Sequence, residues 1–316
     1  MTPMEYIAAY AHHIDALAHR FDVNGAIHPD DYLLIFLLHH PRFADKKDCF
    51  TEYFEDGAAC RNKLESLKKE LLLKDGYTLL EFASGYGRVT RHLMNSSAEL
   101  WACDIHPAAI DFLQREISAR AFISSPFPET LQAPRQFDVV FALSLFSHLP
   151  ITTWVRWLVR LVQATRPGGF VIFTTHGLKT RLPDGAVIPS TGFWFSPGSE
   201  QHDLPNEQYG ITITTPAFVE AAVNSIDGVK LIKFDEAAWW GHQDLYVLHA
   251  VNTEVSLEYK VADSTATVKA QAEQNAALVR ALSELRDSKT WKLAAPLWRL
   301  ETHGRRKAER RKRSTN

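Results

Sequence analysis

The 316-residue sequence predicts an α/β protein: a doubly wound, mostly parallel seven-stranded sheet with helices on both faces, an N-terminal helical cap and a C-terminal helical tail. Three observations carry this. From Tyr77 onward, short apolar runs alternate with roughly ten- to fifteen-residue helical patterns, the rhythm of strand–helix–strand units. Before Tyr77, apolar residues recur at helical spacing. Between the two textures lies "LLEFASGYGRVTRHL", residues 79–93, where two glycines, a serine and an alanine separate an apolar run from a basic helical pattern. That is a strand-to-helix turn, and its small side chains would let a ligand come close to the backbone.

The elements follow in order. "MEYIAAYAHHIDALAHRF" places Ile7, Ala11, Ile14, Leu17 and Phe21 on one helical stripe. "DDYLLIFLLHH" reads as a short buried segment, and "CFTEYFEDGAACRNKLESLKKELLL" as a helix that becomes charged and amphipathic towards its end. The strand "YTLLEFA" leads to a helix from about Tyr86 to Met94. Strand "AELWACD", helix "PAAIDFLQREISA" and a short strand at "AFIS" come next. "FDVVFALS" precedes the helix "ITTWVRWLVRLVQATR", whose Trp154, Trp157, Leu158 and Leu161 share a core-facing spacing, and "GGFVIFTTHG" is the next strand. After a helix near "TPAFVEAAVNSI", the runs "VKLIKFDE" and "DLYVLHA" lie so close in sequence that an antiparallel edge is expected. The chain thus divides into a cap over residues 1–76, a core over 77–252 and a helical tail over 253–316. Within the core, residues 177–214 lack a clear period and are rich in Gly, Pro and aromatics, which marks a functional insertion.

Composition narrows the class. Apolar residues make up 46% and charged residues 23%, ordinary for a soluble globular protein. No apolar run approaches the roughly 20 residues that span a bilayer. The first 22 residues carry acids and histidines where a secretory leader carries a basic start and an apolar run. Cys49, Cys60 and Cys103 have no metal-ligand spacing and are odd in number, so neither a metal site nor a disulfide framework is expected. The expectation is a reduced, cytoplasmic protein. Of the 35 Lys and Arg and 37 acids, seven bases and one acid fall in "RRKAERRKR" (Arg305–Arg313), so the rest of the chain carries 28 against 36, about −8.

Placing Gly85 and Gly87 in the turn after the first strand puts them at the carboxyl edge of the sheet, beside a helix N-terminus. Asp104 ends the second strand some twenty residues later, where a carboxylate accepts both hydroxyls of a ribose. Together they read as a nucleoside pocket. A dinucleotide fingerprint requires a third small residue, and Val89 and Thr90 occupy that region instead.

At "EFASGYG" the sequence resembles the Rossmann-like class I S-adenosylmethionine-dependent methyltransferases, matching their first motif with Glu81, Ala83, Ser84, Gly85 and Gly87. Ala83 stands where the family has its first glycine. "ACDIHP" resembles the second motif, implying Asp104 for the ribose hydroxyls and Ile105 for the adenine face. "FDVVFALSLFSHLP" resembles the fourth-strand motif, with Ser144 and Leu145 implied beside the methionine moiety, and "ATRPGGFVIFTTHG" the turn into the fifth strand, where Pro167-Gly168-Gly169 makes a tight reversal. The resemblance runs from Leu79 to Gly177, with "WWGHQDLYVLHA" as a final edge strand. It implies S-adenosyl-L-methionine as cofactor and a methyl transfer that needs no metal.

An oxygen acceptor benefits from a base. His176, at the end of the fifth strand, is the preferred candidate, and His148 in "FSHLP" the second; for each the competing role is a strand-end residue bonded to backbone. His242 and Asp244 read better as a turn. Phe193, Trp194 and Phe195, with Trp239 and Trp240, are candidates for a lid or for stacking on a sugar, against a role as core anchors. The C-terminal "SKTWKLAAPLWRLETHGRRKAERRKR" joins apolar anchors to a basic cluster, which suits an anionic membrane surface. Its start resembles a segment of bacterial surface-polysaccharide glycosyltransferases and methyltransferases. The expected acceptor is therefore a sugar hydroxyl of a surface glycan or its precursor, with peripheral attachment to the inner face of the membrane or to glycan-assembly proteins; nucleic acid is not the expected partner. A small-molecule N- or O-methyltransferase and a non-catalytic scaffold are the alternatives.

Overall fold

The computed structural model describes residues 1–198, 201 and 203–251. The tail, with its heptad-like stretch, its tryptophans and its basic run, lies outside them.

Four helices open the chain: α1 (Pro3–Ala9), α2 (Ala11–Phe21), α3 (Tyr32–His39) and α4 (Lys46–Glu70). The single helix expected over the first 21 residues is broken at Tyr10, where the backbone leaves helical values (φ −107, ψ 16). Thr2 and Glu5 cap α1 reciprocally, and Asp31 and Asp45 accept from the first amides of α3 and α4. Ile14 and Leu17 pack with Leu34, Leu38, Phe50 and Phe54 into a core of their own. The second half of α4 does something else: Cys60, Leu64 and Leu67 pack on Leu79, Val139 and Leu245 of the sheet. One helix therefore serves both the cap and the core.

The strands are β1 (Thr78–Phe82), β2 (Glu99–Asp104), β3 (Arg120–Ile123), β4 (Phe137–Ala142), β5 (Thr165–His176), β6 (Phe193–Pro197), β7 (Gly210–Thr214), β8 (Val229–Trp239) and β9 (Gln243–Ala250). Order β3-β2-β1-β4-β5 is parallel throughout. Along Phe170–His176, β5 then pairs antiparallel with β9, and β9 with β8. Those are the seven strands the sequence predicts. The other two, β6 and β7, form an antiparallel hairpin out of the insertion, joined to β5 where His176 meets Ile213.

Helices cover both faces, which is why β1 is buried along its whole length. Leu80 and Phe82 pack towards Trp154, Trp157, Leu158 and Leu161 of α7 (Ile151–Gln163) and Val219 and Val223 of α8 (Pro216–Asn224). Leu79 faces the opposite way, with Val89 and Leu93. The remaining helices are α5 (Thr90–Leu93) and α6 (Pro107–Arg115).

Three expectations are corrected. The helix predicted from Tyr86 to Met94 shrinks to the four residues of α5, because positive φ at Gly85 and Gly87 holds the preceding segment in a turn. Pro167-Gly168-Gly169 is not a reversal. It is a bulge inside β5, where pairing jumps from Phe137↔Thr165 to Val139↔Phe170 with Gly168 at φ +77. The last strand, β9, is not the edge: it is buried between β5 and β8, and β8, with alternating exposure, is the edge.

Candidate functional site

Strand order reverses direction between β1 and β4, and their carboxyl ends diverge there into a crevice. A cavity of about 510 Å³ occupies it, within the range of small-molecule sites. Its wall gathers Ala83, Ser84, Gly85, Asp104, Ile105, Ser144, Leu145 and His148.

The turn after β1 is built from left-handed backbone: Ala83 at φ +59, Gly85 at +56 and Gly87 at +81. Ser84 N–H donates to the Cys103 carbonyl at 3.0 Å, tying this turn to β2. Gly85 N–H then donates to Asp104 Oδ2 at 2.7 Å. The glycine turn and the second-strand acid thus meet directly. A Cβ on Gly85 would find no atom within 4 Å, so the space beside its Cα is open. Gly87 differs: a Cβ there would come within 2.7 Å of Leu113 Cδ2 on α6. Gly87 does not line the cavity; it lets the turn pack against a helix.

Asp104 is 6% exposed. Its Oδ1 accepts from His106 N–H at 3.0 Å and lies 2.8 Å from His106 Nδ1. The far side of that imidazole, Nε2, is 2.8 Å from Asp203 Oδ2 and 3.1 Å from Gln201 Nε2 in the insertion. Its hydrogen bond to Asp104, and then the charges of both carboxylates, raise the His106 pKa against the effect of burial.

Across the crevice, Ser144 leaves β4 at φ +60. Its N–H donates to Thr174 Oγ1 at 2.8 Å, Thr174 donates to Gln243 Oε1 at 2.7 Å, and Gln243 Nε2 donates back to Ser144 Oγ at 2.8 Å. This closed loop of bonds fixes the end of β4 from β5 and β9. His148 follows, with Nδ1 2.8 Å from the Gly210 carbonyl and its ring stacked on Tyr209 at 4.5 Å. A carbonyl accepts only, so Nδ1 carries a proton in this bond.

Two more expected residues do not reach the wall. Glu81 is buried below it, accepts from Thr90 Oγ1 at 2.7 Å, and is pushed up to about 7, chiefly by desolvation. His176 sits behind His148, with ring centroids 6.0 Å apart, and 5.6 Å from His242. Its Nδ1 is buried without a partner, and burial with two neighbouring imidazoles lowers it to about 3. Of the pair, His148 is the one placed to meet a ligand. Asp244 is buried and accepts from Ala237 N–H at 2.8 Å, and His242 Nδ1 faces the Trp240 carbonyl, so both serve the β8–β9 turn.

The aromatics divide similarly. Phe193 packs on Phe218 and Trp239 on Phe141, both in the core. Trp240 lines the cavity at φ +52, its indole N–H bonded to Asp56 and its ring under the Arg88 guanidinium, which pairs with Asp56. Sequence reasoning missed Tyr32 and Phe36 from α3, Phe127, and Tyr209, all on the wall. In "DDYLLIFLLHH" the polar-flanked Tyr32 and the 40%-exposed Phe36 read as core because the segment is apolar all round.

Residues 80–171, from β1 into β5, match a family model described as a methyltransferase domain. This stretch of the chain is similar to a methyltransferase domain. Its glycine turn, its second-strand acid and the end of β4 all fall within the match. Comparison with curated proteins returns no match. Solved structures that overlay part of the chain include the glycopeptide N-methyltransferase MtfA (14% identity, 61% of this chain and 90% of that one, TM-score 0.46). An S-adenosylmethionine-dependent methyltransferase from Clostridium acetobutylicum overlays at 12% identity, 69% and 97% coverage and TM-score 0.47. The 1,6-didemethyltoxoflavin-N1-methyltransferase of Burkholderia thailandensis does so at 15% identity, 65% and 86% coverage and TM-score 0.46. Among the described residues, no helix is long and apolar enough to cross a membrane.

Proposed function

We propose that the methyltransferase domain takes its methyl group from S-adenosylmethionine and places it on a hydroxyl of a small neutral acceptor, a sugar of a surface glycan or its precursor. The observation that carries the donor assignment is the meeting of Gly85 N–H, the Asp104 carboxylate and open space beside Gly85 at one cavity wall. Those residues fit the donor: Asp104 would hold the ribose hydroxyls, Ile105 the adenine face, and Ser144 and Leu145 the methionine end. The donor supplies a methyl group activated on a sulfonium, so alignment with the acceptor does much of the work.

The chain's own residues supply the rest. His148 Nε2 takes the acceptor's hydroxyl proton while the Gly210 carbonyl holds Nδ1–H and thereby the ring. Cations on the wall are already committed, Arg156 to Glu129 and Arg88 to Asp56, which favours a neutral acceptor over an anionic one. Exposed Phe36, Phe127 and Trp240 offer faces for the apolar side of a ring. The glycan and its membrane setting rest on the C-terminal sequence alone.

Titration calorimetry with S-adenosylhomocysteine tests the donor site. Asp104→Ala is expected to weaken binding about tenfold or more, since a buried charged acceptor is lost. Unchanged affinity would remove Asp104 from the donor site. Incubation with labelled donor and extracted glycan intermediates tests the acceptor; label appearing only in amines or unrelated small molecules would overturn the glycan reading, and tight binding without turnover would favour a scaffold. Deleting residues 288–316 is expected to abolish sedimentation with anionic vesicles and to leave S-adenosylhomocysteine binding intact.

A further inference from the structure

We propose that His106 is a positioning residue that clasps the substrate-side insertion to the donor carboxylate, so that donor affinity falls as the imidazole loses its proton. This rests on the donor assignment above and goes beyond it to a residue outside the assigned donor contacts.

The geometry is that of a bridge. His106 Nδ1 lies 2.8 Å from Asp104 Oδ1 and Nε2 lies 2.8 Å from Asp203 Oδ2, so both ring nitrogens face carboxylates. Only an imidazolium has a proton for each. The neutral ring can serve one carboxylate and must turn a lone pair on the other. The bridge is shielded at its inner end, with side-chain exposure of 19% for His106 and 7% for Asp104, while Asp203 at the outer end is 37% exposed. The groups facing the ring are Asp104 from the end of β2, Asp203 and Gln201 from the insertion, and Tyr32 from α3, whose ring is 6.0 Å away and whose hydroxyl sits beside Asp203. Among the described residues, no cation stands with them. Two carboxylates with the imidazole between them raise its pKa against the effect of burial and favour the protonated bridge.

The consequence reaches the cavity through the insertion. Gln201, Leu204, Gln208 and Tyr209 line it, and Tyr209 is stacked on His148. A clasp at Asp203 holds this segment over the same cavity that Asp104 serves. Releasing it leaves Nδ1–H on Asp104 and turns the Nε2 lone pair to the Gln201 amide, so the insertion side of the wall loosens. Donor binding and clasp closure are therefore coupled, and each favours the other.

The test uses the full chain and S-adenosylhomocysteine as probe. Binding is measured at about pH 6 and about pH 8.5 for the wild type, His106→Gln and Asp203→Asn. The wild type is expected to bind about fivefold more weakly at the higher pH, whereas both variants bind weakly at the lower pH and change little between the two. A wild type insensitive to pH, or a His106→Gln variant that keeps the wild-type pH dependence, overturns the proposal. The unliganded protein gives a second readout that does not depend on the donor. The raised pKa means the clasp stabilises the fold below about pH 6.5 and loses that effect as pH rises through the folded value. The gap in thermal midpoint between wild type and Asp203→Asn should accordingly be present at about pH 6 and close by about pH 8.5. A gap independent of pH overturns the clasp even if binding data agree. Failure of the wild type to bind the probe at either pH, with the midpoint gap behaving as expected, would remove the donor assignment and leave the clasp standing.

Discussion

Gly85 and Gly87 are two residues apart in one turn, and replacing each by alanine should break different properties. Gly85 is at φ +56, close to the left-handed well that alanine enters at a cost of about 1 kcal/mol, and its new Cβ would meet no atom within 4 Å. Stability should fall only by this strain, about 1 kcal/mol. The added methyl, however, stands in the space the donor is assigned to, so S-adenosylhomocysteine affinity should fall about tenfold or more, as one displaced close contact suffices for 1.4 kcal/mol. Gly87 is at φ +81, and its new Cβ would lie 2.7 Å from Leu113 Cδ2, a fully buried side chain on α6. Left-handed strain of about 1–2 kcal/mol and overpacking of about 1–3 kcal/mol then add to roughly 2–5 kcal/mol. For a domain of this size that lowers the melting temperature by about 5–15 °C. Thermal unfolding followed by circular dichroism and calorimetry on the folded variants separates the two. The reasoning fails if Gly85→Ala binds the probe as the wild type does, or if Gly87→Ala melts with it.

Three further outcomes are expected. His148→Gln should lower kcat about 100-fold or more with S-adenosylhomocysteine affinity unchanged, whereas His176→Gln should leave kcat within a few-fold; steady-state kinetics on the identified acceptor distinguishes them. Gln243→Leu strips Thr174 and Ser144 of their buried partners and should cost about 1–3 kcal/mol in urea unfolding, with weakened probe binding because Ser144 is released. His92 is 1% exposed and, chiefly through burial, lowered to about 4, so the fold holds it neutral while the unfolded chain protonates it below about pH 6.5. Its stabilising effect is therefore complete above that pH and lost as pH falls towards 4, about 2 kcal/mol by pH 5, and a His92→Asn variant should show a flatter decline in stability between about pH 6.5 and 4.

The sheet was legible because its signal is local. β1, β4 and the second half of β5 are buried on both faces, so "LLEF", "DVVFA" and "VIFTT" stand out as apolar runs, and α7 carries its tryptophans on one stripe. The Gly85–Asp104 wall of the crevice was legible for a related reason: a positive φ at Gly85 and a carboxylate at a strand end are properties of single residues at fixed offsets. The opposite wall was not. Tyr32 and Phe36 come from a helix some fifty residues before the turn, Tyr209 from an insertion without a period, and only the folded chain brings them to one wall. That His148 and not His176 lines the cavity has a geometric reason. Position on the ligand-bearing edge is visible in sequence, but the side of a strand end that faces the crevice depends on pairing with β7 and β9. His106 was passed over because its partner Asp203 lies about a hundred residues away in sequence.

The two strands flanking the crevice end alike, in a way that ties the fold to the chemistry. Ala83 leaves β1 at φ +59 and Ser144 leaves β4 at φ +60, and neither is glycine. Each position costs about 1–3 kcal/mol unless its surroundings over-determine it. They do. The turn containing Ala83 is held by the Ser84 bond to Cys103 and the Gly85 bond to Asp104, and Ser144 by Thr174, Ser147 and Gln243. The strain gives a sharp exit from both strands, which brings Gly85 and Ser144 to one cavity wall instead of continuing the ladder over it. Ala83→Gly separates this from coincidence: the turn should form with less strain, so the melting temperature should stay level or rise by a few degrees with probe binding retained. A clear loss of stability would mean that the alanine methyl, and not the backbone bend, is what the site requires at that position.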